Sequence, residues 1–478
     1  MSYYLPSILI TSTALIVMLQ TAFKRSHHRI SLITTVGLSL ALLVQFVKIG
    51  DTSYQTDLLV FDGITTLSSS LLLLVAWLLS LLLYNWLQSL DDPKEEYYLL
   101  LLLSTQGALV VSASQHFASF FLGLELMSLS LVPMIAYAGN DNQALEAGIK
   151  YLVLSAVASA FMLLAIAILY LYTGTLSIPE LAIKVPALLS NGNIIHSCAI
   201  ILLLVAFTFK LSLVPCHLWV ADVFEGAPIP TAALLATISK AALFVVLLRL
   251  FMLGEWHNQP AIIDIIAIIA AASMLVGNLL ALLQKNILRL LAYSSIAHFG
   301  YILLAILALK SASALSSVDA LANEAVFIYL YAYLTTVMGI FLILMLLPNT
   351  YQIDQLKGLF WQQRLKSVIL AVLLLSLAGI PLTIGFIGKF YLTLVAVNAQ
   401  LWWLLAALII GSVMGLFYYL RIILVMVDED GSPAETEAEI DTTRTELWVM
   451  GIVILLVIGI GVFPSMLAGL VQEVMGLT

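Results

Sequence analysis

Apolar runs of about 18–25 residues, parted by short polar stretches, dominate this chain and fix what it can become. A run of that length matches the hydrocarbon thickness of a bilayer when wound as a helix, and inside lipid only helices and closed barrels satisfy the backbone. The runs fall near 5–22, 30–48, 66–87, 97–113, 117–138, 147–172, 194–215, 231–252, 261–283, 291–309, 323–347, 366–397, 402–427 and 447–470. That pattern predicts an all-α polytopic membrane protein of about fourteen transmembrane helices. With 62% hydrophobic and 10% charged residues, the chain lies far from soluble domains, which average nearer 25% charged. Its start lacks a basic region and a small-residue cleavage site, so it reads as a first membrane helix rather than a signal peptide.

Charge is unevenly placed. Much of the net −8 comes from Asp428–Glu446, an acidic stretch expected to form a loop. The segment Ser177–Asn193 is too short and interrupted to span and reads as interfacial. If the N-terminus lies outside, the inner loops collect Lys24, Arg25, Arg29, Lys94, Lys285, Arg289, Lys357, Arg364, Lys366, Arg421 and Arg444. The outer side keeps Lys48, Lys184 and Lys310, with Arg249 near a helix end. The positive-inside rule therefore places both termini on the outer side of the membrane. No basic cluster suggests nucleic acid. Cys198 and Cys216 sit in apolar surroundings with no metal-ligand spacing, so neither a metal nor a cofactor site is expected. No phosphate-cradling glycine loop, nucleophile elbow or Cys₄ motif is present either.

A few charges lie stranded inside the apolar runs: Glu125, Lys210, Lys240 and Lys389. Each costs roughly 2.5–3.5 kcal/mol at bilayer depth on insertion scales, and such residues mark ion or proton paths by default. Counting about 1.5 Å per residue puts Glu125 roughly 12 Å and Lys240 roughly 13–14 Å into their helices, near the middle of the core. Burial penalises a lysine's charged form and a nearby carboxylate favours it, so a buried lysine that gains and loses such a partner can exchange a proton. Glu125 is the mid-span carboxylate of its half and the natural partner for Lys210. A static tie between helices is the alternative. Lys150 lies one turn inside its helix with Glu146 at i−4, which fits a surface pair as well as a functional site.

Two spans are interrupted, one by Pro215 just after Lys210 and one by Gly379, Pro381, Gly385 and Gly388 around Lys389. Broken helices at corresponding places in two halves point to a transport site built on inverted repeats. The segments LSLVP (211–215) and LAGIP (377–381) occupy the fourth span of two five-span blocks. The organisation expected is an N-terminal three-helix segment 1–96, a first repeat 97–252, a second repeat 261–427, the acidic loop 428–446 and a C-terminal helix 447–478. Two polar patches add candidates for a proton path. His217 and Asp222 fall in CHLWVADVFEGAPIP (216–230), and Ser294, His298 and Tyr301 share YSSIAHFGY (293–301), the first two at i, i+4. Hydrogen-bonded helix contacts would explain the second patch equally well. Asp62 reads as a helix-start charge and no more.

The long motifs KLSLVPCHLWVADVFEGAPIP, YSSIAHFGY and LSLAGIPLTIGFIGKF closely resemble the antiporter-like membrane subunits of respiratory complex I, over essentially the whole chain. The chain lacks the long lateral C-terminal helix of one such sister subunit, and Lys389 stands where another carries glutamate. The resemblance implies proton translocation driven by quinone reduction elsewhere. It matches Glu125 to the fifth-helix glutamate, Lys150 to a sixth-helix lysine, Lys210 to the lysine of the broken seventh helix, Lys240 to the eighth-helix lysine and Lys389 to that of the broken twelfth. It implies the other membrane-arm subunits and the bilayer as partners, with NADH, FMN, Fe–S clusters and a quinone held by other subunits. Cys216 departs from a usual Phe, and Val220-Ala221 from a common polar/Pro pair. An independent Mrp-type cation/proton antiporter subunit, or a purely structural scaffold, are the rival readings.

Overall fold

The computed structural model describes all residues except 1, 49–52, 89–93, 138–140, 191, 255, 310–316, 348–350, 429–442 and 477–478. Most of the expected acidic loop falls outside the described residues. Helices α1 (Leu5–Phe23) and α2 (His27–Val47) form an outlying pair, followed by a two-stranded antiparallel hairpin, β1 (Tyr54–Gln55) and β2 (Val60–Phe61). Next come α3 (Gly63–Gln88), α4 (Glu95–Ala113), α5 (Phe117–Ile135) and α6 (Asn142–Thr173). The expected interfacial segment is a short helix, α7 (Ile178–Ser190), which buries Ile178, Leu181 and Val185. The first broken region contains α8 (Ile194–Lys210), α9 (Leu218–Gly226), α10 (Ile229–Ala236) and α11 (Ile238–Leu253). Then follow α12 (Pro260–Leu282), α13 (Ile287–Leu307), α14 (Ser317–Met345), the one-turn α15 (Leu359–Gln362), α16 (Arg364–Ala378), α17 (Ile384–Asn398) and α18 (Trp402–Val427). Finally α19 (Arg444–Ile454) continues through a π-helical turn at Leu455–Gly459 into α20 (Ile460–Val462), and α21 (Pro464–Met475) follows.

Among the described residues 12 helical segments are long and apolar enough to cross a membrane. The two expected spans not in that set are the interrupted ones. The sequence reading ran the last span on to residue 470; instead it stops at Val462, because Pro464 cannot continue the helix and starts α21.

The hairpin marks one end of the molecule, where Leu59 bridges to Ser114 and His116 to Ser177. The other end carries the Asn286–Gln352 bridge. Burial orders the layers. The stretches 229–253, 287–307 and 318–345 are each 94% buried, whereas those in α1, α6, α12 and α18 are less than half buried. Helices α10/α11, α13 and α14 are thus the interior of the bundle, and side chains on them cannot reach headgroups by snorkelling.

Both breaks are satisfied internally. Past α8, Leu213 N–H donates to Thr208 O (2.7 Å), Val214 N–H to Ser273 Oγ (3.0 Å) and Trp219 Nε1 to Phe209 O (3.2 Å). Ser212 takes a positive φ of 59°, and the Val214–Pro215 peptide is cis. Past α16, Gly379 (φ 88°) and Ile380 both donate to Leu375 O at 3.0 Å, closing a left-handed helix terminus. Gly385 N–H donates to Ser376 Oγ at 3.2 Å. Irregular backbone survives at membrane depth only when its polar groups are paired this way.

Candidate functional site

Lys210 is the last residue of α8 and is 9% exposed. Its ammonium donates to Ser128 Oγ of α5 (2.9 Å) and Ser155 Oγ of α6 (2.7 Å). Glu125 does not pair with it directly. The Glu125 carboxylate, only half-buried, accepts from Ser159 Oγ at 2.6 Å. Ser128 lies one turn beyond Glu125, and Ser155 and Ser159 are i, i+4 on α6, so hydroxyls fill the space an ion pair would need. The expected partnership is corrected to a serine-separated one. Its two charges still interact electrostatically.

Lys240 lies in the first turn of α11 and is 1% exposed. It donates to Ser295 Oγ of α13 (2.7 Å) and lies 5.5 and 5.9 Å from the ring centres of Phe299 and Phe224. Beside Lys210 is a cavity of about 10 Å³ lined also by Ser128, Tyr151 and, next in sequence to Lys240, Ser239. That is about the room one water needs.

Lys389 sits in α17, and its chain folds back across the break so that Nζ donates to Ala378 O (2.9 Å), a carbonyl left free at the end of α16. It also lies 5.6 Å from the Tyr301 ring centre. Gly379 makes this possible: a Cβ there would come within 2.8 Å of Lys389 Cδ, and the φ of 88° disfavours any side chain. Gly461 of α20 presses on the other flank of the break, where a Cβ would meet Leu382 O at 2.5 Å.

Helix α13 connects these centres. Ser295 meets Lys240, and neighbouring Ser294 makes a short hydrogen bond with Tyr419 of α18. His298 shares hydrogen bonds with Tyr329 of α14 (Nδ1, 2.7 Å) and Tyr419 (Nε2, 3.4 Å). Tyr301 accepts from Asn278 Nδ2 (2.8 Å), and its ring is edge-on to His298 with centroids 5.6 Å apart. A neutral imidazole offers one donor and one acceptor, so a histidine between two phenols can pass a proton by exchanging tautomers. Ser294 and His298 thus share one buried hydrogen-bonded cluster with Tyr419 and Tyr329; Tyr301 meets it through its ring and lies beside Lys389, and Ser295, next in sequence to Ser294, holds Lys240.

The remaining candidates lie at the end opposite the hairpin. Lys150 pairs with Glu146 (2.7 Å) and Asp222 (2.9 Å), while Arg289 pairs with Asp222 (2.9 Å) and Glu225 (2.6 Å). Burial raises the pKa of Asp222, but Lys150 and Arg289 outweigh it and hold the carboxyl below its ordinary value. His217 stays apart from this network, with Nδ1 against Pro215 O at 3.3 Å. Beside the ion-pair network opens a cavity of about 820 Å³ whose lining includes Asn85, Asp141, Glu225, Lys366 and Glu446. Helix α9 joins the two regions: Glu225 faces the cavity and Phe224 touches Lys240.

At the hairpin end Asp62 does more than start a helix. It accepts from Thr65 N–H as an N-cap, and it also takes a bidentate pair from Arg249 of α11 at 2.7 and 2.8 Å. Burial pulls Asp62 upward, and Arg249 more than offsets it, leaving the carboxyl below its usual pKa. Sequence reasoning missed this partner because Arg249 is distant in sequence. It also missed Ser128, Ser155, Ser159, Ser295, Asn278, Tyr329 and Tyr419. Their signal was hydroxyl and amide groups on otherwise apolar helices, which is too common to single them out.

A family model described as the NADH:quinone oxidoreductase/Mrp antiporter transmembrane region matches residues 114–415, a span that contains Glu125, Lys150, Lys210, Lys240, Lys389 and the polar patches of 216–230 and 293–301. Two curated relatives, both NADH-quinone oxidoreductase subunit N, cover nearly the full length. That of Shewanella woodyi is 47% identical over 99% of both chains. That of Ectopseudomonas mendocina is 41% identical over 98% of this chain and 95% of its own. The chain belongs to the subunit N family of NADH-quinone oxidoreductase. A chain of respiratory complex I from Thermus thermophilus, solved with bound aureothin, superposes with a TM-score of 0.81 at 29% identity, covering 97% of this chain and 98% of that one. A chain of the Mrp complex from Dietzia sp. shares the fold, with a TM-score of 0.85 at 18% identity over 99% and 97% of the two chains. The 12 apolar helices among the described residues make this chain a multi-pass membrane protein.

Proposed function

We propose that this chain is a proton-translocating membrane-arm subunit of a bacterial NADH-quinone oxidoreductase, coupling quinone reduction in other subunits to proton movement through its own buried lysines. It takes no part in electron transfer. NADH, FMN, Fe–S clusters and quinone belong to partner subunits, and both termini face the periplasm, so the hairpin end is the outer one.

One observation carries the reading. Among the described residues two buried lysines and the half-buried Lys389 meet hydroxyls, a carbonyl and aromatic faces, and a buried cluster of hydroxyl and imidazole groups lies beside them on α13, α14 and α18. Protons enter at the inner cavity, past the Lys150–Asp222–Arg289–Glu225 network and beside Phe224, to reach Lys240. Lys210, whose water-sized cavity reaches Ser239 beside Lys240, sets the charge that Lys240 feels. Glu125 sets the charge on Lys210 through the intervening serines. It is half-buried, so a charge change in a neighbouring subunit can act on it. Ser295, Ser294, Tyr419, His298 and Tyr301 pass the proton toward Lys389, which delivers it outward. His217 has no step in this route.

The test is Lys210→Ala and Glu125→Ala in assembled complex. Proton pumping and coupled quinone reduction should fall together in both. Full activity of both variants at normal assembly would overturn the reading. A scaffold, by contrast, predicts lost assembly with unchanged activity per assembled complex.

A further inference from the structure

Two turns into α14 from the hairpin end stands a carboxylate outside every step above. Glu324 is 6% exposed. Its Oε2 accepts from Gln472 Nε2 of α21 at 3.1 Å, and the Tyr391 hydroxyl of α17 interacts with the same carboxyl. Its Oε1 is buried with no hydrogen-bond partner among the described residues, as is Oδ1 of the adjoining Asn323. A carboxylate offers about four acceptor sites, and leaving one oxygen bare in an apolar bundle is costly. A helix tie would need none of this, because a neutral amide at 324 could hold Gln472 equally well.

Position supplies the reason. Tyr391 is two residues past Lys389 on α17, on the stretch leading to the hairpin end. Helices α14 and α17 are in close contact there: a Cβ on Gly388 would lie 3.0 Å from the Tyr329 ring. Tyr329, which holds His298, is five residues farther along α14, about 7.5 Å inward of Glu324. Glu324 therefore lies on the outer side of both Lys389 and the His298 relay. Asp319, buried at 2% and itself engaged, is five residues nearer the mouth.

We propose that Glu324 is the outer proton-release group. An ammonium proton leaves Lys389, which becomes a neutral amine, and crosses by way of water, since residues two apart on a helix do not face each other; Tyr391 hands on its hydroxyl proton while accepting that one; and the Glu324 carboxylate becomes a carboxylic acid. That acid then gives its proton to outside water at the Asp319 end of α14 and is again a carboxylate. No electron moves. The bare Oε1 is where the proton or a relaying water arrives. This assignment rests on the translocation reading above.

The test uses intact complex in vesicles, comparing protons moved per NADH oxidised at equal subunit content. Glu324→Gln should lower that ratio several-fold for this subunit's share of pumping, and Glu324→Asp should restore most of it. Tyr391→Phe should lower it as well. A full ratio in Glu324→Gln, or an Asp variant no better than Gln, reduces Glu324 to a helix tie and overturns the proposal. Should Glu324→Gln fail to assemble, Tyr391→Phe decides, and a full ratio there overturns it. Lys389→Ala separates the two readings: a loss in Lys389→Ala with none in Glu324→Gln sinks only the release group. No loss in either sinks the translocation reading itself.

Discussion

Among the described residues the ion pairs lie at the two ends of this molecule, and the lysines at its middle have none. Lys150, Asp222, Arg289 and Glu225 form an alternating chain of ion pairs, and Asp62 grips Arg249 bidentately. Lys210, Lys240 and Lys389 have serine hydroxyls, one carbonyl and three aromatic rings instead. A lysine paired with a carboxylate keeps its proton, because losing it would strand the partner. A lysine among neutral groups has no such anchor, and its charge follows whatever charge changes nearby. The ends therefore fix the bundle, and the middle is left free to respond. The same contrast explains why lysine rather than arginine occupies the middle: arginine stays charged in any environment, whereas an ammonium can give its proton up.

Breaking a middle charge should have the largest effect on activity and little on assembly. Lys240→Met keeps the volume and the aromatic contacts but removes the one titratable group between Lys210 and the α13 chain. Pumping and coupled quinone reduction should fall together, by on the order of 10²-fold in the step this residue serves, the low end for a lost proton-transfer group. Vesicle acidification with purified complex measures it. An Asn or Gln retaining full activity at 240 would dissolve the contrast between middle and ends.

Breaking an end pair should reverse the pattern, costing stability and sparing chemistry. Asp62→Ala strands Arg249, which is 5% exposed, and also removes the α3 N-cap. The expected loss is about 3 kcal/mol, the lower bound for splitting a buried pair. It should appear as reduced complex yield and a lower melting temperature, with near-normal activity per complex that survives. Lost activity in well-assembled complex would mean that Arg249 belongs to the proton route.

Much of this was legible in the sequence, for a physical reason. Charges such as Lys240 are so costly in lipid that they stand out without any structure, and a proline or glycine inside an apolar run announces a break. Apolar length located the spans, and even the two that fell short had been marked by Pro215 and Pro381. What did not show was pairing. Nothing in the sequence says that Ser128 and Ser155 come between Glu125 and Lys210, that Arg249 reaches Asp62, or that Tyr419 and Tyr329 clasp His298. Each depends on which helix faces interlock, and serine and tyrosine are cheap enough in a bundle to carry no signal. The helix end at Pro464 was missed because the apolar run continues past it.

Gly379 offers a finer probe, since it serves the middle only by geometry. Gly379→Ala adds strain of about 1–2 kcal/mol at a left-handed residue and pushes a methyl into the Lys389 side chain. Pumping should drop several-fold while Lys240-dependent steps stay intact. Paired with Lys389→Ala, the double variant should be no worse than the lysine variant alone, because both act on one group. Additive losses would show that the break itself, rather than the lysine it seats, governs activity.

The smallest effect should come from the inner network. Its members are 27–64% exposed, so water screens each pair and no one of them governs the fold. Lys150→Met should lower activity by no more than about twofold near neutral pH, because Arg289 still holds Asp222 and the cavity keeps its acidic lining. The pH dependence follows from Asp222, whose carboxyl is held below its ordinary value. Such a group contributes its stabilisation above the unfolded-state pKa of about 4 and loses it only as pH falls through the lower folded value. Between pH 6 and 8 the network should therefore be constant, and any titration of pumping in that window comes from groups outside it. A wild-type pH profile that disappears in Asp222→Asn but persists in Lys240→Met would place the responsive charge at the entrance and invert the division between ends and middle.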